Sequence, residues 1–277
     1  METSGQVRKM QVEHDPATNQ VRYAWVTHQA QIDLSPYIGR HVEIQWHGQI
    51  YCQACGKNTR TSFNQGFCYP CFTKLARNDR CVMSPELCHF DKGTCREPEW
   101  GLAHCMQKHI VYLAWSSNLK VGLTKPSQIP TRWIDQGASH AIAVCYVKSR
   151  YHAGLVETFL KQDYADRTNW RKMLTGEAID VDLLEAYKDV VAKIQASDLP
   201  NEVKDGVEVI PPKIMQFQYP LPFHGPIKSL NLDKERQVGG HLLGIKGQYL
   251  LLDSGVINIR KYTSYDISLT VQEDDDH

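Results

Sequence analysis

Apolar and polar residues alternate over short spans at both ends of this chain. Val21-Arg-Tyr-Ala-Trp-Val26 and His41-Val-Glu-Ile-Gln-Trp46 have period two, with Val42, Ile44 and Trp46 on one face, as in half-buried strands. Toward the other end, Lys246-Gly247 and Asp253-Ser-Gly255 break the apolar run from His241 and precede Val256, Ile257 and Ile259. Both breaks are turn signals, so 213–272 is predicted to be antiparallel strands. Neither end is self-sufficient, and the two are expected to complete one barrel or sandwich.

The middle of the chain reads differently. His109-Ile-Val-Tyr-Leu-Ala114 and Leu119-Lys-Val-Gly-Leu-Thr124 are predicted strands joined at Ser116-Ser-Asn118, and Ala141–Val147 is a buried strand holding Cys145 in its core. Arg132 opens a predicted helix that stops at Gly137, and a further helix carries Glu157 among Leu155, Val156, Phe159 and Leu160. Leu183, Leu184, Tyr187, Val190, Val191 and Ile194 form a helical stripe, with Asp180 or Asp182 as its cap. The polar stretch 195–205 and Pro211-Pro212 read as a linker. The predicted class is α+β. A β-rich segment (1–50) leads to a cysteine-rich module (51–108), a mixed core (109–175), a helix and linker (176–212) and a β-rich end with an acidic tail (213–277).

With 277 residues, 42% of them hydrophobic, the chain can form one large domain or two to three small ones. No apolar run approaches the ~18 residues of a membrane span. The start, Met1-Glu-Thr-Ser-Gly5, lacks a secretory pattern, so the expected compartment is the cytoplasm. There, clustered cysteines are metal ligands before they are disulfides.

Eight of the nine cysteines lie between Cys52 and Cys105, in two sets of four. Cys52-x-x-Cys55 and Cys68-x-x-Cys71, twelve residues apart, have the spacing of two knuckles around one tetrahedral zinc. Cys81, Cys88, Cys95 and Cys105 are separated by six, six and nine residues, wider than zinc knuckles use. They fit a second zinc, with His89, His104 or His109 as an alternative ligand, or a 4Fe–4S cluster; four buried free thiols are the plain alternative.

The formal net charge is zero, but 52–172 carries seventeen Lys/Arg against nine Asp/Glu, and 173–277 carries ten against seventeen, ending in Glu273-Asp-Asp-Asp276. A basic centre suits a phosphate-binding face, and a solubility gradient is the alternative. Lys148-Ser-Arg-Tyr-His152 and Arg167-Thr-Asn-Trp-Arg-Lys172 mix cations with aromatics that stack on bases, unless Tyr151 and Trp170 pack inward.

The order of Tyr112, Lys120-Val-Gly122, Arg132, Glu157 and Asn169 over 109–172 resembles the core of GIY-YIG nucleases. The chain is also similar to a bacterial family of unknown function in which such a core follows cysteine modules. Tyr112 stands at the first signature tyrosine, Arg132 at the family arginine, Glu157 at the metal-binding glutamate and Asn169 at the asparagine beyond it. Lys120 replaces the second tyrosine. The resemblance implies that Glu157 holds Mg²⁺ or Mn²⁺, Arg132 grips phosphate, Tyr112 positions or deprotonates water, and Lys120 contacts phosphate or serves as a base. The expectation is therefore a zinc-containing, nucleic-acid-binding protein with a phosphodiesterase core. A binding module that has lost cleavage and an iron–sulfur redox sensor are its rivals.

Overall fold

The alternation at residues 41–46 extends into an interior strand of a six-stranded antiparallel sheet. In the computed structural model, His41–Ile50 pairs on one side with Tyr265–Val271 and on the other with Gln237–Lys246. Glu2–Gln6 adds beyond the first neighbour, and the hairpin strands Tyr249–Leu252 and Gly255–Asn258 add beyond the second. Ile44 lies opposite Leu269 and Val238, and Val42 opposite Val271; all are buried, each such side chain contributing about 1.5–3 kcal/mol. Gln11–His14, Val21–Val26 and Gln31–Asp33 form a second antiparallel sheet whose Tyr23 and Trp25 are buried.

The structure describes residues 1–164, 169–175, 181–220 and 227–272. The acidic run at 273–276, Arg167 and the alternative cap Asp180 lie outside them. The chain forms two compact units, Met1–Thr73 with Gln218–His277, and Lys74–Phe217. The division falls inside the 51–108 cysteine segment, so the first quartet belongs to the β-rich unit and the second to the α/β unit. Ile214–Gln216, expected with the β-rich end, instead pairs with His140–Val147. Its residues find an open edge there, whereas the strands that 213–277 gives to the six-stranded sheet begin at Gln237.

The α/β unit is organised on an antiparallel sheet ordered Ile214–Gln216, His140–Val147, His109–Trp115, Leu119–Thr124, with Glu208–Val209 also pairing to His140–Val147. His109–Trp115 is buried along its whole length. On one face, Val111 and Leu113 lie opposite Leu123 and Val121. They share a core with Val156 and Leu160 of the Arg150–Leu160 helix and Val190 and Ile194 of the Leu183–Ala196 helix. Asp182 caps the latter helix, accepting from the N–H groups of Leu184 and Glu185. On the other face, Tyr112 lies opposite Gly122 and Ala114 opposite Lys120. Among the described residues, no helix is long and apolar enough to cross a membrane.

Candidate active site and metal centres

Cys52, Cys55, Cys68 and Cys71 form a group able to hold a metal ion, their sulfur atoms all within 4.8 Å of one another. Backbone turns set them up. The Gly56 N–H donates to the Cys52 carbonyl (2.8 Å), the Gln53 N–H to the Gly66 carbonyl (2.8 Å), and Cys68 immediately precedes the Tyr69–Lys74 helix. Burial opposes ionisation of Cys52, but the N–H groups of Cys68, Cys55 and Ala54 outweigh it and draw the thiol down to about 6. Burial and the other thiols push Cys71 up to about 12. Thiolates this close together repel one another, and a cation among them would favour the ionised form of all four.

The second quartet sits on short helical turns of the α/β unit. Cys81 lies in Arg80–Met83, Cys88 follows the 3-10 turn Pro85–Leu87, and Cys105 ends Pro98–His104. All four cysteines border one cavity, together with Asp79 and His89. His104 and His109 are elsewhere: His104 stacks on Trp100 at 4.5 Å, and buried His109 bonds through Nδ1 to the Gln107 carbonyl (2.7 Å). Burial pushes Cys81 up to about 11, with Asp79 and the other thiols adding to it. Cys145, buried in its strand, is pushed up to about 12 by burial.

Tyr112, Lys120, Arg132 and Glu157 border a single open cleft in the α/β unit. They come from four elements: the strands His109–Trp115 and Leu119–Thr124 and the helices Thr131–Asp135 and Arg150–Leu160. Leu119–Thr124 is the edge strand, and residues of both its faces reach the cleft. Tyr112 is buried, with Trp133 edge-on at 5.7 Å, and its hydroxyl donates to Gln136 Oε1 at 3.1 Å. Gly122 makes room for that phenol, because a Cβ there would lie 2.6 Å from the hydroxyl oxygen.

The cleft is cationic and partly dehydrated. Burial, reinforced by Arg132, lowers the Lys120 ammonium to about 8. Burial raises the Glu157 carboxyl, opposed by Lys161, whose Nζ is 3.3 Å from Oε2. Burial likewise raises Tyr112.

Asn169 is not among the residues bordering the cleft. It is exposed, caps the Trp170–Thr175 helix by accepting from the N–H groups of Arg171 and Lys172, and donates its own N–H to Ser117 Oγ. Two residues that no motif marks, Arg150 and Gln136, do border the cleft. Arg150 belongs to a segment whose composition suggests base stacking. Its guanidinium instead donates to the Val82 carbonyl at 2.6 Å, and its buried Nε has no hydrogen-bond partner. Elsewhere in those clusters, Tyr151 and Trp170 are half-buried, and the Arg171 guanidinium lies 4.3 Å from the Trp170 ring centre.

The family described as "protein of unknown function (DUF2797)" matches residues 39–267 of this chain. No curated protein and no solved structure matches it.

Proposed function

This chain belongs to the DUF2797 family of proteins of unknown function, and from its cleft we propose that it is a divalent-metal-dependent phosphodiesterase acting on nucleic acid. The core would be of GIY-YIG type. The reading rests on one observation: a tyrosine, a lysine, an arginine and a glutamate from four separate elements border the same cleft.

The donor set suits the ion this chemistry uses. Glu157 is the carboxylate among residues that are otherwise apolar, neutral or cationic, and Mg²⁺ is commonly held by one or two carboxylates with waters and substrate phosphate. Such an ion supplies Lewis acidity at a phosphoryl oxygen. Arg132 donates two parallel N–H bonds to the non-bridging oxygens and shares their developing charge. Lys120, lowered to about 8, accepts the proton of the attacking water. As the new P–O bond forms, the ester P–O bond breaks and the leaving oxygen is protonated from solvent. Tyr112, tethered by Gln136 and raised by burial, orients the water and does not deprotonate it. The first quartet holds zinc, as its spacing and its 3.7 Å Cys55–Cys68 sulfur separation favour.

Lys120, in place of the second signature tyrosine, favours a second reading in which the cleft binds a phosphodiester without cutting it. Incubating labelled single-stranded, duplex, branched and tRNA substrates with Mg²⁺ or Mn²⁺ separates the two. Metal-dependent cutting that disappears in Glu157→Gln, with binding retained, is the expected outcome. Binding by the wild-type protein without cutting would leave the second reading in its place.

A further inference from the structure

The two cysteine quartets differ in geometry. With Zn–S near 2.3 Å, thiolates of a tetrahedral zinc site stand roughly 3.8 Å apart, and the first quartet closes to that scale, with Cys55 and Cys68 3.7 Å apart. The second quartet is more open: its four thiols border one small cavity and do not all lie within 4.8 Å of one another. Phe90, Trp100 and Met106 give the thiols an apolar wall, and Asp79 and His89 a polar one. Gly101 lets the walls approach, since a Cβ there would lie 3.0 Å from the Phe90 ring and 3.3 Å from Cys95 Sγ.

We propose that Cys81, Cys88, Cys95 and Cys105 each ligate one corner of a 4Fe–4S cluster seated in this cavity. Four thiolates from an irregular loop, spread around one cavity, are the donor set such a cluster takes. A mononuclear ion has a competing seat, because the ligand atoms of Asp79, Cys81 and His89 lie within 4.8 Å of one another. A metal there would take His89 through Nε2, since Thr94 Oγ1 lies 2.8 Å from Nδ1, and would compete with Arg96 Nε, 2.7 Å from the Asp79 carboxylate. Asp79 and His89 form a polar rim beside the thiols.

The loop that carries Cys81 and Cys88 also borders the cleft. The Arg150 N–H donates to the Cys105 carbonyl at 2.8 Å, and its guanidinium donates to the carbonyl of Val82, next to Cys81. Val82, Met83 and Pro85, between Cys81 and Cys88, border the cleft directly. The group that holds the loop therefore holds one wall of the cleft, and with it Arg150. The metal assignment stands independently of the phosphodiesterase reading.

The test is metal and sulfide analysis of the full chain, purified anaerobically from iron-supplemented cells. The expected result is about four iron and four acid-labile sulfide with a broad absorbance near 400 nm, alongside about one zinc. The double variant Cys88→Ser, Cys95→Ser should lose iron and sulfide and keep the zinc of the other unit, and Cys145→Ser should keep all three. Sulfide-free protein, with either two zinc or one, overturns the proposal. Because the sulfide content is read on the wild-type protein, the outcome stands even if the double variant fails to fold.

Discussion

Lys120 is the residue on which the cleft's chemistry and its stability conflict. Its ammonium is buried, and an ordinary lysine value near 10.5 is lowered to about 8 by burial, with Arg132 adding to it. Between pH 8 and 10.5 the unfolded chain binds the proton that the folded one has released. Stability therefore rises with pH across that window, and the full penalty is present below it. The shift corresponds to a penalty on the order of 3 kcal/mol. Lys120→Met, similar in length and uncharged, is expected to raise the melting temperature at pH 7 and to erase the gain in stability between pH 8 and 10.5. If Lys120 takes the proton from water, wild-type cleavage rises with pH to a plateau above about 8, and the variant is inactive. Thermal melts and a pH–rate profile read both effects, and a less stable, fully active variant would dismiss the role. Gly122 is constrained in the opposite way, by space: any side chain there displaces the Tyr112 hydroxyl that Gln136 holds.

At the scale of elements, the wall of the cleft depends on one close contact. The Arg150–Leu160 helix packs at Gly154 against the turn that starts at Pro85, and a Cβ on Gly154 would stand 2.6 Å from Pro85 Cβ and 2.8 Å from the Glu86 nitrogen. Part of that obstacle is backbone, so the loop as a whole must move. Gly154→Ala is expected to cost about 1–3 kcal/mol, to lower occupancy at the second quartet, and to leave zinc at the first unchanged. Metal analysis beside a denaturation curve checks it, and an unchanged second site would show that the loop does not depend on this contact. The strands and helices involved are legible in the sequence because each carries its own periodicity. Period two at 41–46 and the 3.6-residue stripe from Leu183 to Ile194 both correspond to observed elements. The part played by Arg150 is not legible. It follows from carbonyls of Val82 and Cys105, which no local pattern in the Lys148–His152 segment encodes. Gln136 reads in the sequence as part of a helix end and reaches the cleft because Tyr112, twenty-four residues earlier, lies opposite it.

At the scale of the whole molecule, folding divides the charge differently from a count along the sequence. Counted along the chain, 52–172 carries eight more cations than anions. Counted by unit, Lys74–Phe217 carries nineteen Lys/Arg against eighteen Asp/Glu, and the rest twelve against thirteen. The helical segment after residue 173 folds into the same unit as most of the basic stretch and returns acidic residues to it, a pairing invisible to a count along the sequence. With each unit close to neutral in net charge, the cations at the cleft itself are the ones expected to set affinity. Lys120, Arg132 and Arg150 border it beside the single carboxylate Glu157. Three such contacts release few counterions, so a plot of log affinity against log salt should have a slope of roughly −2 to −3 for duplex DNA. Fluorescence anisotropy across a salt series measures it, and Arg132→Ala should make the slope shallower by about one unit. A slope two or three times steeper would mean that the phosphate backbone is bound along a wider surface, and that the cleft is the end of a track and not the whole of the site.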